Sequence, residues 1–312
     1  MLRRSDYVTQ NVVMLLLLFH SVSIGGAASL DPTANSSWNI GGGNYTTVRI
    51  GTIAHIPGLT HGAPYTASIF YPTEALTSPE RFPVVSFAHG TGTAGVSLTL
   101  GYGTDLTTLA AYGFIVVGFD SCPLLQCGAA FSTDQLAVLA AIKAHGATLH
   151  PSLANADTER TAVMGHSMGA MATLQSAVAV SATKYHIKAA VAQHCCIDPT
   201  AGQPGSAAEV GIPFLLTSGG ADTICPYSYT SLIYADLPTD LKCVVSWNAA
   251  THYDPCGNGE YGKLLEVDSS ARFLACAVRS EHCNGMPAFC KRAKADVCKA
   301  GFGELPSRLS LS

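Results

Sequence analysis

One short segment constrains this chain more than any other: Gly165-His166-Ser167-Met168-Gly169, set between a strand-length apolar run at residues 161–164 and a helical stretch at residues 168–180. A serine at such a strand–turn–helix junction sits on a sharp, strained bend that lifts its hydroxyl clear of the sheet edge. Glycines two before and two after it leave room for strand and helix to pass. Ser167 is therefore the candidate nucleophile. The segment also requires a sheet whose strands are followed by helices.

The rest of the chain supplies that sheet. Apolar runs of four to six residues lie at 83–88, 114–119, 161–164, 188–192, 213–217 and 243–247. Helical stretches fall between or after them at 105–111, 132–145, 168–180, 227–235 and 261–279, and two further strand-like segments, 46–53 and 65–71, come first. Short, fully apolar strands alternating with helices predict an α/β fold with a mostly parallel central sheet covered on both faces. In such sheets chemistry collects beyond the carboxyl ends of the strands.

A serine nucleophile needs a base, and the base an orienting carboxylate, in the chain order Ser, Asp, His for this topology. Asp222 follows the 213–217 strand through Ser218-Gly219-Gly220 and is the first candidate acid; Asp198, beyond the 188–192 strand, is the alternative. His252 lies in the loop after the 243–247 strand, 30 residues past Asp222. Of the other histidines after Ser167, His186 and His194 precede Asp222 and His282 falls in the cysteine-rich tail. The developing oxyanion needs two donors. The Met168 amide, next to the nucleophile, supplies one; the loop His89-Gly90-Thr91-Gly92-Thr93 offers the Thr91 amide as the second. His89 reads as structural, and His166 as a support whose side chain points away from Ser167.

With those residues in place, the segments Arg160 to Ala170, Gly219 to Pro226 and Ala250 to Tyr253 resemble the cutinase-like polyester hydrolases, on the dienelactone-hydrolase side of the α/β-hydrolase superfamily. The likeness runs over about residues 45–277. It implies an α/β-hydrolase fold without a large cap, a Ser167–His252–Asp222 triad and Thr91 and Met168 as oxyanion donors. It also implies an ester substrate, no metal and no organic cofactor. Cysteine placement resembles one branch of the family, which implies a Cys225–Cys256 bridge between the acid and base loops. Two departures bear on substrate. The family usually has an aromatic residue where this chain has Thr91, and a tryptophan where it has Gln193-His194-Cys195-Cys196. Those aromatics clamp an aromatic polyester unit, so short-chain or exposed esters are expected instead. Esterases like platelet-activating-factor acetylhydrolase or chlorophyllase share the elbow, and a non-catalytic binding protein on the same fold is the reading from another class.

Composition narrows the setting. With 12% charged and 48% hydrophobic residues the chain is not a disordered one, and a net charge of −4 argues against a nucleic-acid partner. Arg3-Arg4, the apolar run 12–19 and the small residues 25–28 have the order of a secretory signal, too short to span a bilayer. This predicts a signal at 1–28, a hydrolase domain at 29–275, a cysteine-rich segment at 276–312, and a secreted monomer. Asn35-Ser36-Ser37 and Asn44-Tyr45-Thr46 are glycosylation acceptors. Eleven cysteines suit an oxidising compartment, and the intervals of seven, seven and eight between Cys276, Cys283, Cys290 and Cys298 are not a zinc pattern. Cys122 and Cys127 are placed to close the loop after the 114–119 strand. Cys195-Cys196 bridge each other only with strain, so their partners are expected elsewhere, at Cys243 or in the tail.

Overall fold

A computed structural model describes residues 43–61, 65–91, 98–122, 127–197, 207–239, 242–256 and 262–281. The expected signal segment, the first acceptor, Asp198, His282 and the last three cysteines lie outside the described residues.

Eight strands form one sheet: β1 (Val48–Ile53), β2 (Thr66–Pro72), β3 (Phe82–Ala88), β4 (Ile115–Asp120), β5 (Ala156–His166), β6 (Ile187–Gln193), β7 (Phe214–Gly219) and β8 (Lys242–Trp247). Their order is β1-β2-β4-β3-β5-β6-β7-β8. β2 is antiparallel to β1 and to β4, and every pairing from β4 through β8 is parallel. The helices are α1 (Leu98–Ala111), α2 (Ser132–Leu149), α3 (Met168–Ser176), α4 (Ala179–Tyr185), α5 (Tyr227–Asp236) and α6 (Gly262–Leu274).

The unbroken apolar runs follow from burial on both faces. Val84, Val117, Val163, Ala190 and Leu216 pack into one core with α2 and α3. Their neighbours Val85, Val116, Met164, Val191 and Leu215 pack into the other with α1 and α6. Successive residues of a strand point to opposite faces, so the inner strands are largely apolar at successive positions. This is the α/β-hydrolase fold expected from the elbow. The described connections between β5 and β8 hold only α3, α4, α5 and a short 3-10 turn, with no cap-sized insertion.

Two helices differ from the sequence expectation. The stretch 168–180 is broken at Ala177-Val178, because Val178 takes an extended conformation (φ −60°, ψ 148°) and makes an isolated antiparallel bridge to Val210. α1 begins at Leu98 and runs through Gly101 and Gly103, although glycine costs a helix interior about 1 kcal/mol relative to alanine. The burial of Leu98, Tyr102, Leu106 and Leu109 on one face offsets that cost.

Candidate active site

Because β3, β5, β6, β7 and β8 run in parallel, their carboxyl ends open on one edge, and the sequence-derived residues meet there. Ser167 follows β5 with φ 56° and ψ −114°, a strained conformation for a non-glycine residue. Its amide donates to the Gln193 carbonyl (2.9 Å), while the amides of Ala170 and Met171 turn back onto the Ser167 carbonyl. The flanking glycines are steric necessities. A Cβ on Gly169 would overlap the Ala88 carbonyl, and one on Gly165 would overlap the backbone of Gly169.

Ser167 Oγ lies 2.9 Å from His252 Nε2, and His252 Nδ1 lies 2.9 Å from Asp222 Oδ2. All three side chains are buried, with 7% of Ser167 and 6% of His252 reaching solvent. The acid and base loops are packed backbone to backbone. The Gly220 amide donates to Trp247 O (2.7 Å) and the Ala221 amide to Ala250 O (3.0 Å). Side chains at Gly219 or Gly220 would collide with residues 248–250, so this Gly-Gly pair serves close approach as well as turning.

Asp222 has every acceptor position filled. Oδ1 accepts the amides of Ile224 (2.9 Å) and Cys225 (2.8 Å), and Oδ2 accepts from His252 and from His194 Nδ1 (2.7 Å). Burial pushes this carboxyl upward, but the hydrogen bonds from His194 and His252 outweigh it and hold Asp222 well below the usual carboxylate range.

His166 points away from Ser167, as expected. Its Nε2 faces the His252 carbonyl (2.8 Å) and so carries the proton, leaving Nδ1 to accept from the Tyr102 hydroxyl (2.9 Å). That hydroxyl in turn accepts the Gly90 amide (2.9 Å), which places the loop carrying Thr91 beside Ser167. A Cβ on Gly90 would sit 3.3 Å from Ser167 Cβ and 2.8 Å from His166 Nδ1. Burial, reinforced by the neighbouring His252 and His194, keeps His166 well below the ordinary histidine value and neutral. His89 is fully buried with both ring nitrogens facing backbone carbonyls, the structural part assigned to it.

The disulfides correct two expectations, the Cys225–Cys256 bridge and a partner for Cys195 and Cys196 at Cys243 or in the tail. Cys122 bridges Cys127, as the loop closure requires, but Cys225 pairs with Cys196 and not with Cys256. Cys256 is a free thiol beside His166 (Sγ to Nδ1 3.5 Å), turned toward the core face that holds Tyr102, while Cys225 faces the end of β6. Cys195 is buried and unbridged, and Cys243 and Cys276 are each disulfide-bonded. The Cys196–Cys225 bridge packs against Ser167 and His252: Cys196 Sγ is 3.6 Å from Ser167 Oγ, and Cys225 Sγ is 3.8 Å from His252 Nε2. Its sequence separation of 29 is worth roughly 3–4 kcal/mol in the chain-entropy model.

Sequence reasoning passed over two buried groups. His194 and Glu266 are fully buried, with His194 Nε2 3.3 Å from Glu266 Oε2. His194 was set aside on chain order, a rule that bears only on the base. Glu266 stands within the 261–279 helical stretch, where no local feature marks it as buried. Burial disfavours charge on His194, but Glu266 and Asp222 outweigh it and raise it to about 10. The donor atoms of His194, Asp222 and His252 lie within 4.8 Å of one another, as do those of Cys196, Cys225 and His252. Both histidine Nδ1 atoms in the first group carry protons toward Asp222, and both cysteines in the second are bridged, so hydrogen bonds and a disulfide already occupy these donors.

Two limbs of the pH–stability curve follow. His194 holds its proton more tightly folded than unfolded, so its contribution is complete below about pH 6.5 and is lost as pH rises toward 10. His89 and His166 are shifted the other way, so stability falls as pH drops below about 6.5, where the unfolded chain takes up protons first. Asp222 adds a further loss below its ordinary value of 3.8. Thermal melts from about pH 4 to about pH 10 should give a maximum near pH 6.5; a melting temperature that climbs steadily into the alkaline range would contradict a protonated His194.

The sequence matches the family model described as PETase, PET hydrolase-like, over residues 27–283. A search of the curated proteins finds no match.

Proposed function

The chain belongs to the PET hydrolase-like family, whose chemistry is ester hydrolysis, and on that premise we propose that it is a serine carboxylic-ester hydrolase working through an acyl-enzyme. The continuous hydrogen-bond chain Ser167–His252–Asp222 carries this reading. Ser167 Oγ attacks the ester carbonyl as its proton passes to His252 Nε2, and Asp222 holds the imidazole with Nδ1–H and stabilises the imidazolium. The oxyanion rests on the Met168 amide, at the first turn of α3 where helix amides lack intrahelical partners, and on the Thr91 amide. Each such donor is worth about 3 kcal/mol. The imidazolium then gives its proton to the leaving alkoxide. Water, activated by His252, releases the acid and restores Ser167.

The substrate we infer is a short-chain or exposed ester, polyesters of aliphatic units included. The Cys196–Cys225 bridge stands beside the nucleophile in the segment where the resemblance calls for an aromatic clamp, and Thr91 replaces the second clamp residue. The disulfides, the basic and apolar N-terminal segment and the acceptor sites support an exported, extracellular enzyme. Among the described residues no helix is long and apolar enough to cross a membrane.

Rates on p-nitrophenyl esters from acetate to palmitate test the reading. Acetate or butyrate should be turned over fastest, with palmitate slowest. An optimum at palmitate would overturn the short-acyl site, and no turnover of any ester by the folded protein would favour a binding protein.

A further inference from the structure

Among the described residues, His194 is a buried group at the site whose hydrogen bonds the esterolytic cycle leaves unexplained. A neutral imidazole has one N–H and one bare nitrogen. Here Nδ1 faces Asp222 Oδ2 at 2.7 Å and Nε2 faces Glu266 Oε2 at 3.3 Å, each a carboxylate oxygen that can only accept. With both carboxylates ionised, both contacts are satisfied together only if both nitrogens carry protons, unlike those of His89, whose partners are uncharged backbone carbonyls. Glu266 is fixed from its other side, because its Oε1 accepts the Thr217 hydroxyl from β7. All three ionisable side chains are sealed from solvent, so His194 is the group in direct contact with both carboxylates that can carry the balancing positive charge. Backbone geometry holds the ring there as well: His194 is left-handed (φ 49°) and its amide donates to Thr217 O (3.0 Å).

We propose that His194 is a positioning residue of the esterolytic centre, a buried imidazolium clamped between Asp222 and Glu266 that fixes the carboxylate holding His252 and opposes a second positive charge on His252 in the resting enzyme. This rests on the hydrolase reading above. His194 and His252 donate to the same oxygen, Asp222 Oδ2, and their rings stand 5.8 Å apart nearly at right angles. Rotation of the Asp222 carboxylate would break both bonds, so the second histidine locks the first one's partner. The electrostatic consequence is distinct from the steric one. Asp222 alone would draw a proton onto His252; a cation on the far side of that carboxylate cancels part of the pull, and Glu266 cancels part of the cation. His166, neutral, faces His194 at 5.9 Å between ring centres; beyond it are Asp105, bonded to Gln193, and the Cys256 thiol, which feels the charges of Asp105, Glu266 and Asp254.

The charges of the two residues make opposite predictions for two variants. In His194→Gln the cation is lost and Glu266 remains, so the acidic limb of the kcat/KM profile on p-nitrophenyl butyrate should move up by roughly one pH unit. In Glu266→Gln the cation remains with less to balance it, and the limb should move down. A residue of merely structural importance would lower kcat in both variants with the limb unmoved, and that result would overturn the proposal. Imidazole 15N NMR of histidine-labelled wild type at about pH 8, where an ordinary histidine is neutral, decides the charge without activity. Protonation of both His194 nitrogens is expected, and a single protonated nitrogen would overturn the proposal even if neither variant folds. Absence of Ser167-dependent turnover in the wild type would sink the hydrolase reading and the positioning role with it, while the NMR result on the charge would stand.

Discussion

Ser167→Ala should abolish ester hydrolysis, with kcat falling roughly 10^4- to 10^6-fold, while the melting temperature changes little. The asymmetry comes from where Ser167 stands. Its backbone is held by the Gln193 carbonyl and by the first turn of α3, bonds that alanine keeps. Its side chain contributes one hydroxyl, bonded to His252 Nε2 and set beside the Cys196–Cys225 bridge, so its loss removes the attacking atom and leaves one nitrogen short of a partner. A substitution of this kind usually stays within about 1 kcal/mol of wild type. Parallel rate and melting measurements check the pair of outcomes. Residual activity within tenfold of wild type would mean another nucleophile.

Asp222→Asn should behave differently, losing both activity and stability. An amide cannot present an acceptor-only oxygen pair, so four hydrogen bonds compete for one carbonyl: those from His252, His194, Ile224 and Cys225. With His252 free to take the wrong tautomer, the rate should fall roughly 10^4-fold. The buried His194 also loses one of its two counter-ions, and breaking a buried ion pair from one side costs about 3–5 kcal/mol. Thermal melts should therefore show a clear drop for Asp222→Asn where Ser167→Ala shows almost none. Equal melting temperatures in the two variants would mean that Asp222 does not anchor the network around His194.

The sheet, the elbow and the Ser167, Asp222 and His252 positions could be read from the chain because each leaves a local mark. Parallel strands must be apolar on both faces, so β3, β4, β6 and β7 appear as short unbroken runs. Gly165 and Gly169 are required by overlap with backbone, and Asp222 and His252 follow strands at the spacing of successive βα units. What stayed hidden depends on contacts between distant residues. The break at Val178 exists because Val210 is across from it, and no residue near 178 announces that bridge. Cys225 pairs with Cys196, which stands just past the end of β6, a contact between residues 29 apart that the local sequence does not mark. The family resemblance pointed to Cys256, whose place beside His166 only the packing reveals. Glu266 on α6 looks like any solvent-face glutamate until β7 and His194 close over it.

The most direct test of the account is covalent. A p-nitrophenyl alkylphosphonate mimics the tetrahedral intermediate: Ser167 Oγ forms a bond to phosphorus, p-nitrophenolate leaves, and the phosphoryl oxygen takes the oxyanion position. Mass spectrometry of the wild type should find one phosphonyl group per chain on the peptide that carries Ser167, and none on Ser167→Ala. A wild type that hydrolyses esters yet carries no label on that peptide, or is labelled elsewhere, would contradict Ser167 as the nucleophile and the triad built around it.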